Sequence, residues 1–348
     1  MAVDFKKKMS EAAKVAKNMA DNAGQLSGEV AKVATEKGKE LVVTAKDKAV
    51  VAKDVGLVAV DKGKALTEST KKAVIEAIDE NGNGEIDIED IIIKGFKTPG
   101  VRINRSNFLR KELFKHYPEE VINDAIEFNP AHAGITPEEL SKIADSVIQN
   151  ERLGVSGISA ALGTPGGAAM AVTVPADIIQ YYGYMLRAAQ EMLYLYGFPE
   201  LDIDANTQQL DSETVNMLIL CLGTMYGVAS AKNALLSISK ALGKGISTKI
   251  MKTALTKGAV YPVIKEVAKW FGVKMTKSIL AGAVEKSMPV VGGVLGGAIT
   301  YASFKPCCDK LKASLSDTEL SNPGKHISTK EEDNLVIDIE VCEVETEE

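Results

Sequence analysis

Apolar residues recur at helical spacing, three and four apart, through most of this chain, and the main elements they predict are helices. Residues 1 to 78 read as one long or slightly broken amphipathic helix, rich in Ala, Lys, Val and Glu and free of proline. Cut into eleven-residue blocks from Val30, Leu41 and Ala52, it brings Val33, Thr44, Val55 and Leu66 into register, a loose repeat that keeps one stripe on one side of a nearly straight helix. Shorter helices follow. Ser106 is expected to start one, Pro118 a second, and Thr136 with Pro137 and Glu139 forms a capping box before a third, on which Leu140, Ile143, Val147 and Ile148 share a stripe. From Leu153 to Ala176 there is no charge, but Gly163, Pro165, Gly166 and Gly167 break the run. Pro175 is expected to open a strong helix ending at Gly197, with Pro199 beyond it. A second apolar helix is predicted from about Val215 to Leu242, and a third over Met288 to Phe304. The fold class is therefore all-α: a Gly/Ala-rich helical bundle, preceded by the Lys-rich amphipathic helix and followed by an acidic tail.

Composition sharpens this picture in a few places. Only 5% of residues are aromatic against 29 Gly, so the apolar content is mostly small aliphatic side chains, which suit closely packed helices. Gly292 with Gly296, and Gly293 with Gly297, are small-residue pairs that let helix backbones approach. The uncharged runs fall short of what a membrane-spanning helix needs. The net charge of −6 hides a gradient, from an Arg-free, Lys-rich start to a strongly acidic end. The lysines interleave with acids and lack neighbouring aromatics, which argues against nucleic acid. Cys221, Cys307, Cys308 and Cys342 show no metal-ligand spacing, and reduced thiols are expected. No secretory h-region is visible at the start, so a cytoplasmic location is the expectation.

The sharpest motif is D-E-N-G-N-G-E-I-D-I-E-D, Asp79 to Asp90. It sets Asp79, Asn81, Asn83, Asp87 and Asp90 at positions one, three, five, nine and twelve of an EF-hand-like loop. A hard cation needs six to eight oxygens, a sharp turn at position six, where Gly84 sits, and a backbone carbonyl at position seven, from Glu85. Helices are expected on either side, Lys71 to Ile78 and Ile88 to Lys97. Asp90 stands where such loops usually carry Glu, so it must be drawn inward, and the two Asn ligands lower the ligand charge. Calcium is the expected ion, with magnesium the alternative. A metal-free Asx and Gly turn is the competing reading.

A second constellation lies on the helix expected after Pro175. At helical spacing Asp177, Gln180, Tyr181, Tyr184, Arg187 and Glu191 line up, while Ile178, Ile179, Tyr182, Met185, Ala189 and Met192 take the other side. That face could receive a ligand, and the helix start beside Pro175 could favour an anion. Against this, Arg187 and Glu191 are spaced for a local ion pair. No nucleophile motif, phosphate-binding loop or zinc motif is present, and His116 and His132 stand apart from each other and from the cysteines.

The stretch from roughly Ser141 to Leu315 resembles the EcsC family: the small-residue segment through Gly166 and Gly167, then Pro175, Ala176 and Asp177, the Tyr196–Gly197 helix end, and the closing Pro289, Gly292, Gly293, Gly296, Gly297 and Tyr301 run. The resemblance implies a bacterial, membrane-associated helical protein, and brings no catalytic residues. The regions expected are therefore 1–78, an amphipathic helix; 79–90, the loop; 91–320, the EcsC-like core; and 321–348, an acidic tail. In that tail Leu335, Ile337 and Ile339 alternate with acids, as a short edge strand or partner-binding segment could, although disorder is the reading preferred. The function expected is that of a non-catalytic, cation-tuned binding or scaffold protein on the cytoplasmic face of the membrane, peripheral or inserted as a hairpin, with lipid as the partner and a protein partner also conceivable. The alternative is a lipid- or small-molecule-handling enzyme that uses the polar face of the 175–196 helix.

Overall fold

The computed structural model describes residues 72, 75–80, 82–162, 170–201, 210–246, 248–258, 260–272 and 291–324, with 330, 332, 334–336 and 339 of the tail. The long Lys-rich helix expected over residues 1 to 78 lies almost wholly outside the described residues. The elements are α1 (Ile88–Lys97), α2 (Arg105–Leu113), α3 (Glu119–Glu127), α4 (Pro137–Leu162), α5 (Met170–Leu195), α6 (Ser212–Met225), α7 (Ala229–Gly243), α8 (Thr248–Thr256) and α9 (Val291–Leu315). Residues 75–78 and 261–272 are also helical, and there is no strand among the described residues. The fold is all-α.

Local chemistry explains most of the boundaries. The Thr136–Glu139 capping box forms as expected: the Glu139 amide donates to Thr136 Oγ1 (3.3 Å) and the Thr136 amide to Glu139 Oε2 (3.0 Å). Pro118 is the N-cap residue of α3. The cap of α2 is Asn104 rather than the region of Ser106, because the Asn104 side chain reaches the Asn107 amide at 3.0 Å and starts the helix a residue early. Helix α5 ends as its sequence suggests. Gly197 adopts φ +92°, and the amides of Phe198 and Gly197 donate back to the Leu193 and Tyr194 carbonyls.

Two expectations change. Pro175 does not open its helix; α5 already begins at Met170. A proline this near a helix start removes a single early hydrogen bond, which a long, well-packed helix tolerates. The amides after Pro175 are therefore inside the helix and do not form an anion site. The apolar run from Val215 to Leu242 is two helices, α6 and α7, folded back by a turn at Tyr226–Val228. Gly227 takes φ +84° there.

Packing centres on α5. It meets α1, α2, α4, α6 and α9, while α4 and α9 run together along the most extensive helix contact in the protein. Every residue from Ala188 to Leu195 is buried, polar Gln190 and Glu191 included, so the C-terminal part of α5 is enclosed on every side rather than on one face. A single core cluster extends from Ile78 to Ile339. The end of that cluster corrects the tail: Glu332, Val336 and Ile339 are buried at helical positions, and Ser237 Oγ donates to the Glu332 carbonyl at 3.3 Å. The described part of the tail thus docks on α7 as helix, where alternation with acids suggested a strand or no order.

Candidate functional site

The Asp79-to-Asp90 loop is rooted in the core at both ends. Ile78, Ile86 and Ile88 are each no more than 1% exposed, so the loop's apolar positions anchor it while residues 82–85 face out. Asp79 organises the first half: its carboxylate accepts from the amides of Gly82 (2.7 Å), Asn83 (3.3 Å) and Gly84 (2.8 Å). Gly84 takes φ +82°, the turn expected at position six. Asn83 Oδ1 then accepts from the Glu85 amide at 2.8 Å. In the second half Asp87 caps α1, its Oδ1 receiving the Asp90 amide at 2.9 Å, while Asp90 Oδ2 receives the Asp87 amide at 3.1 Å. Asp90 Oδ1 closes the loop by accepting from the Glu80 amide at 2.9 Å. The carboxylate at position twelve is therefore drawn inward, and Asp90 is 1% exposed.

Charges on either side set the loop's electrostatics. Glu80 is held by Lys94 (2.7 Å) and Lys97 (2.9 Å) of α1, and these hydrogen bonds lower its carboxyl pKa. Burial raises the Asp90 carboxyl, and the neighbouring Asp87 charge adds to it. Glu89 is raised first by burial and then by Asp87 and Asp90, so the exit of the loop is a crowd of carboxylates. The donors are all oxygen, the chemistry calcium or magnesium takes. Among the described residues no three His, Cys, Asp or Glu side chains gather as a metal-holding group; Asn81 lies outside them.

The second constellation is taken apart by the fold. Arg187 does not face a ligand. Its Nε donates to Glu151 of α4 (2.9 Å), its Nη1 to the Gly100 carbonyl (2.6 Å), and its Nη2 lies 3.3 Å from Glu191. The Arg187–Glu191 pair is thus the local ion pair that the spacing suggested. Gln190, just before Glu191, reads the same loop: Nε2 donates to the Val101 carbonyl (2.9 Å) and Oε1 accepts from the Ile103 amide (3.2 Å). Tyr184 packs its ring against Gly154 of α4, where an added Cβ would sit 2.9 Å from Tyr184 Cε1. Tyr181 leans toward α9, its hydroxyl 3.4 Å from Ser303 Oγ, and packs edge-on against Phe304. Asp177 is buried and Gln180 half-buried. The structure therefore brings Arg187, Glu191 and Tyr184 together with Glu151, and directs Tyr181 elsewhere.

Three important residues are absent from the sequence-based candidates. Glu151 had a signal: it continues the buried stripe Leu140, Ala144, Ile148, Val155 as a lone charge among apolar positions. Gln190 sits beside the chosen face but on the side turned to the 98–104 loop. Arg105 had no signal at all. Its guanidinium donates to the carbonyls of Phe198 (3.1 Å), Ile126 (2.6 Å), Ala125 (3.2 Å) and Phe128 (3.1 Å), which ties the C-terminal end of α3 to the end of α5.

The remaining chemistry is inert. Cys221 and Cys308 are buried free thiols, and burial pushes both well up from the ordinary thiol range, the opposite of an activated nucleophile. Tyr182 is pushed up to about 12 by burial and shares a 3.1 Å hydroxyl contact with Tyr226. No helix among the described residues is long and apolar enough to cross a membrane. Comparison with known proteins finds no matching family model, no similar curated protein and no similar solved structure.

Proposed function

We propose that this chain is a non-catalytic helical binding protein of the membrane surface, whose EF-hand-like loop takes a divalent cation, calcium first and magnesium second. The observation that carries this reading is the loop itself: Asp90 drawn inward to 1% exposure beside Asp87, with Asp79 and Asn83 already shaping the turn through backbone amides. A cation held by Asp79, Asn81, Asn83, the Glu85 carbonyl, Asp87 and Asp90 would relieve the crowding of carboxylates at the start of α1. Because α1 packs on α5, such binding would stiffen the centre of the bundle. Against the enzyme alternative, Arg187 of the expected ligand face spends its hydrogen bonds on Glu151 and the Gly100 carbonyl.

The membrane part of the proposal rests on the sequence. The Lys-flanked apolar stripe of residues 1 to 78 suits an anionic lipid surface, and the EcsC-like run through Gly292 and Gly297 suits helices packed beside lipid. Co-sedimentation with anionic vesicles, for the full chain and for a chain shortened to begin at Lys71, tests it. The full chain is expected to pellet with vesicles and the shortened one to lose most of that binding. Absence of vesicle binding by either chain would end the membrane reading.

A further inference from the structure

Where α4 meets α5, two buried carboxylates face one guanidinium in a place with little water. Glu151 and Glu191 are 9% and 2% exposed, and they share one guanidinium, that of Arg187. The sharing is unequal. Glu151 Oε1 receives Arg187 Nε at 2.9 Å, whereas Glu191 Oε1 lies 3.3 Å from Nη2 and Glu191 Oε2 has no hydrogen-bond partner among the described residues. The third arm of the guanidinium holds the Gly100 carbonyl at 2.6 Å. That carbonyl belongs to the segment 98–104, which leaves α1 and enters α2, and which Gln190 grips one turn away from Arg187. A second full negative charge on this guanidinium would be a buried, unbalanced charge, which is strongly unfavourable.

We propose that Glu151, Arg187 and Glu191 form a proton-operated latch on the 98–104 segment. With one proton on Glu191, the cluster is a neutral Glu151–Arg187 pair, and the guanidinium has an arm free for Gly100. Loss of that proton recentres Arg187 between two carboxylates and weakens its hold on Gly100. Charged and titratable groups face the cluster from each neighbouring helix. Tyr184 stands beside Arg187 on α5, Lys111 and Glu112 approach from α2, and Cys308 lies within reach on α9. Lys111 and Lys115 share Glu112 and keep their side chains 66% and 56% exposed, so water screens much of the pull that Lys111 exerts on Glu191.

The electrostatics agree with the geometry. Burial pushes the Glu191 carboxyl well above its ordinary range, and the Glu151 charge adds to it against the pull of Arg187. The sign is that of a raised acid. The unfolded chain gives up this proton at the ordinary Glu range while the fold keeps it, so folding takes up a proton, and the latch loosens as pH rises toward the folded value.

The test uses the full chain and its Glu191→Gln variant, which mimics the protonated acid. Infrared spectra near neutral pH should show a buried protonated carboxyl band in the wild type that is missing from E191Q. Hydrogen exchange at the Ile103 amide gives the second readout. Its protection in the wild type, divided by that in E191Q, should fall by up to about tenfold per pH unit between the ordinary Glu range and the raised value in the fold, and level off above it. A wild type without the band, or an Ile103 amide whose pH dependence is the same in both proteins, overturns the latch.

Discussion

Arg105 is 8% exposed, and its guanidinium serves the carbonyls of Ala125, Ile126, Phe128 and Phe198. The carbonyls at the end of α3 have no intrahelical partner, so without Arg105 they would be buried and unsatisfied. Arg105→Ala is expected to destabilise the protein by about 3 kcal/mol, read from the denaturant midpoint at constant slope. Arg105→Lys keeps the charge but loses the planar fork, and should restore less than half of that. At this scale the sequence is least legible. An arginine preceding a helix says nothing of carbonyls arriving from elsewhere, whereas Asp79, Gly84, Asp87 and Asp90 act within one short loop and so could be read from spacing alone.

Between residues and the whole fold, the helices follow from local signals where those signals are strong. Thr136 with Glu139, Pro118 and Gly197 each do in the fold what their chemistry suggests. The failures also have local causes. Pro175 looks like a helix start because its ring suits that place, but α5 begins at Met170, five residues before it. The break between α6 and α7 is hidden in an uncharged run, where hydropathy has no contrast to offer. At their contact Gly223 is needed for space: an added Cβ would meet Ala231 Cβ and Val267 Cγ1, both at 2.7 Å. Gly223→Ala improves helix propensity, and yet it is expected to destabilise by about 1 to 3 kcal/mol through overpacking. Thermal unfolding of the pair checks this, and a stabilised variant would show that the hairpin opens easily.

For the molecule as a whole, the all-α class and the small-residue packing could be read in advance, because composition and helical period agree across the chain. What could not be read is that α5 lies at the centre of five neighbouring helices. Its polar residues looked like a ligand face because amphipathicity ordinarily marks a boundary. Enclosed in a bundle, such residues become pins between elements, as Arg187 of that face is to Gly100, and as Gln190 beside it is to Val101 and Ile103. At the described positions of the tail Glu332, Val336 and Ile339 are buried and helical, and alternation of apolar and acidic residues gives no hint of that burial. In the loop from Asp79 to Asp90 the turn at Gly84 and the helix start at Ile88 fall where the spacing puts them, and the proposal that it takes a cation depends on that loop. Titration calorimetry of the full chain with calcium, followed by thermal unfolding at a hundredfold excess over the dissociation constant, tests that dependence directly. The account predicts a saturable site with a stabilisation of about 2.7 kcal/mol, both lost in Asp79→Ala. No saturable heat with calcium or magnesium, and an unfolding temperature that neither ion moves, would contradict it.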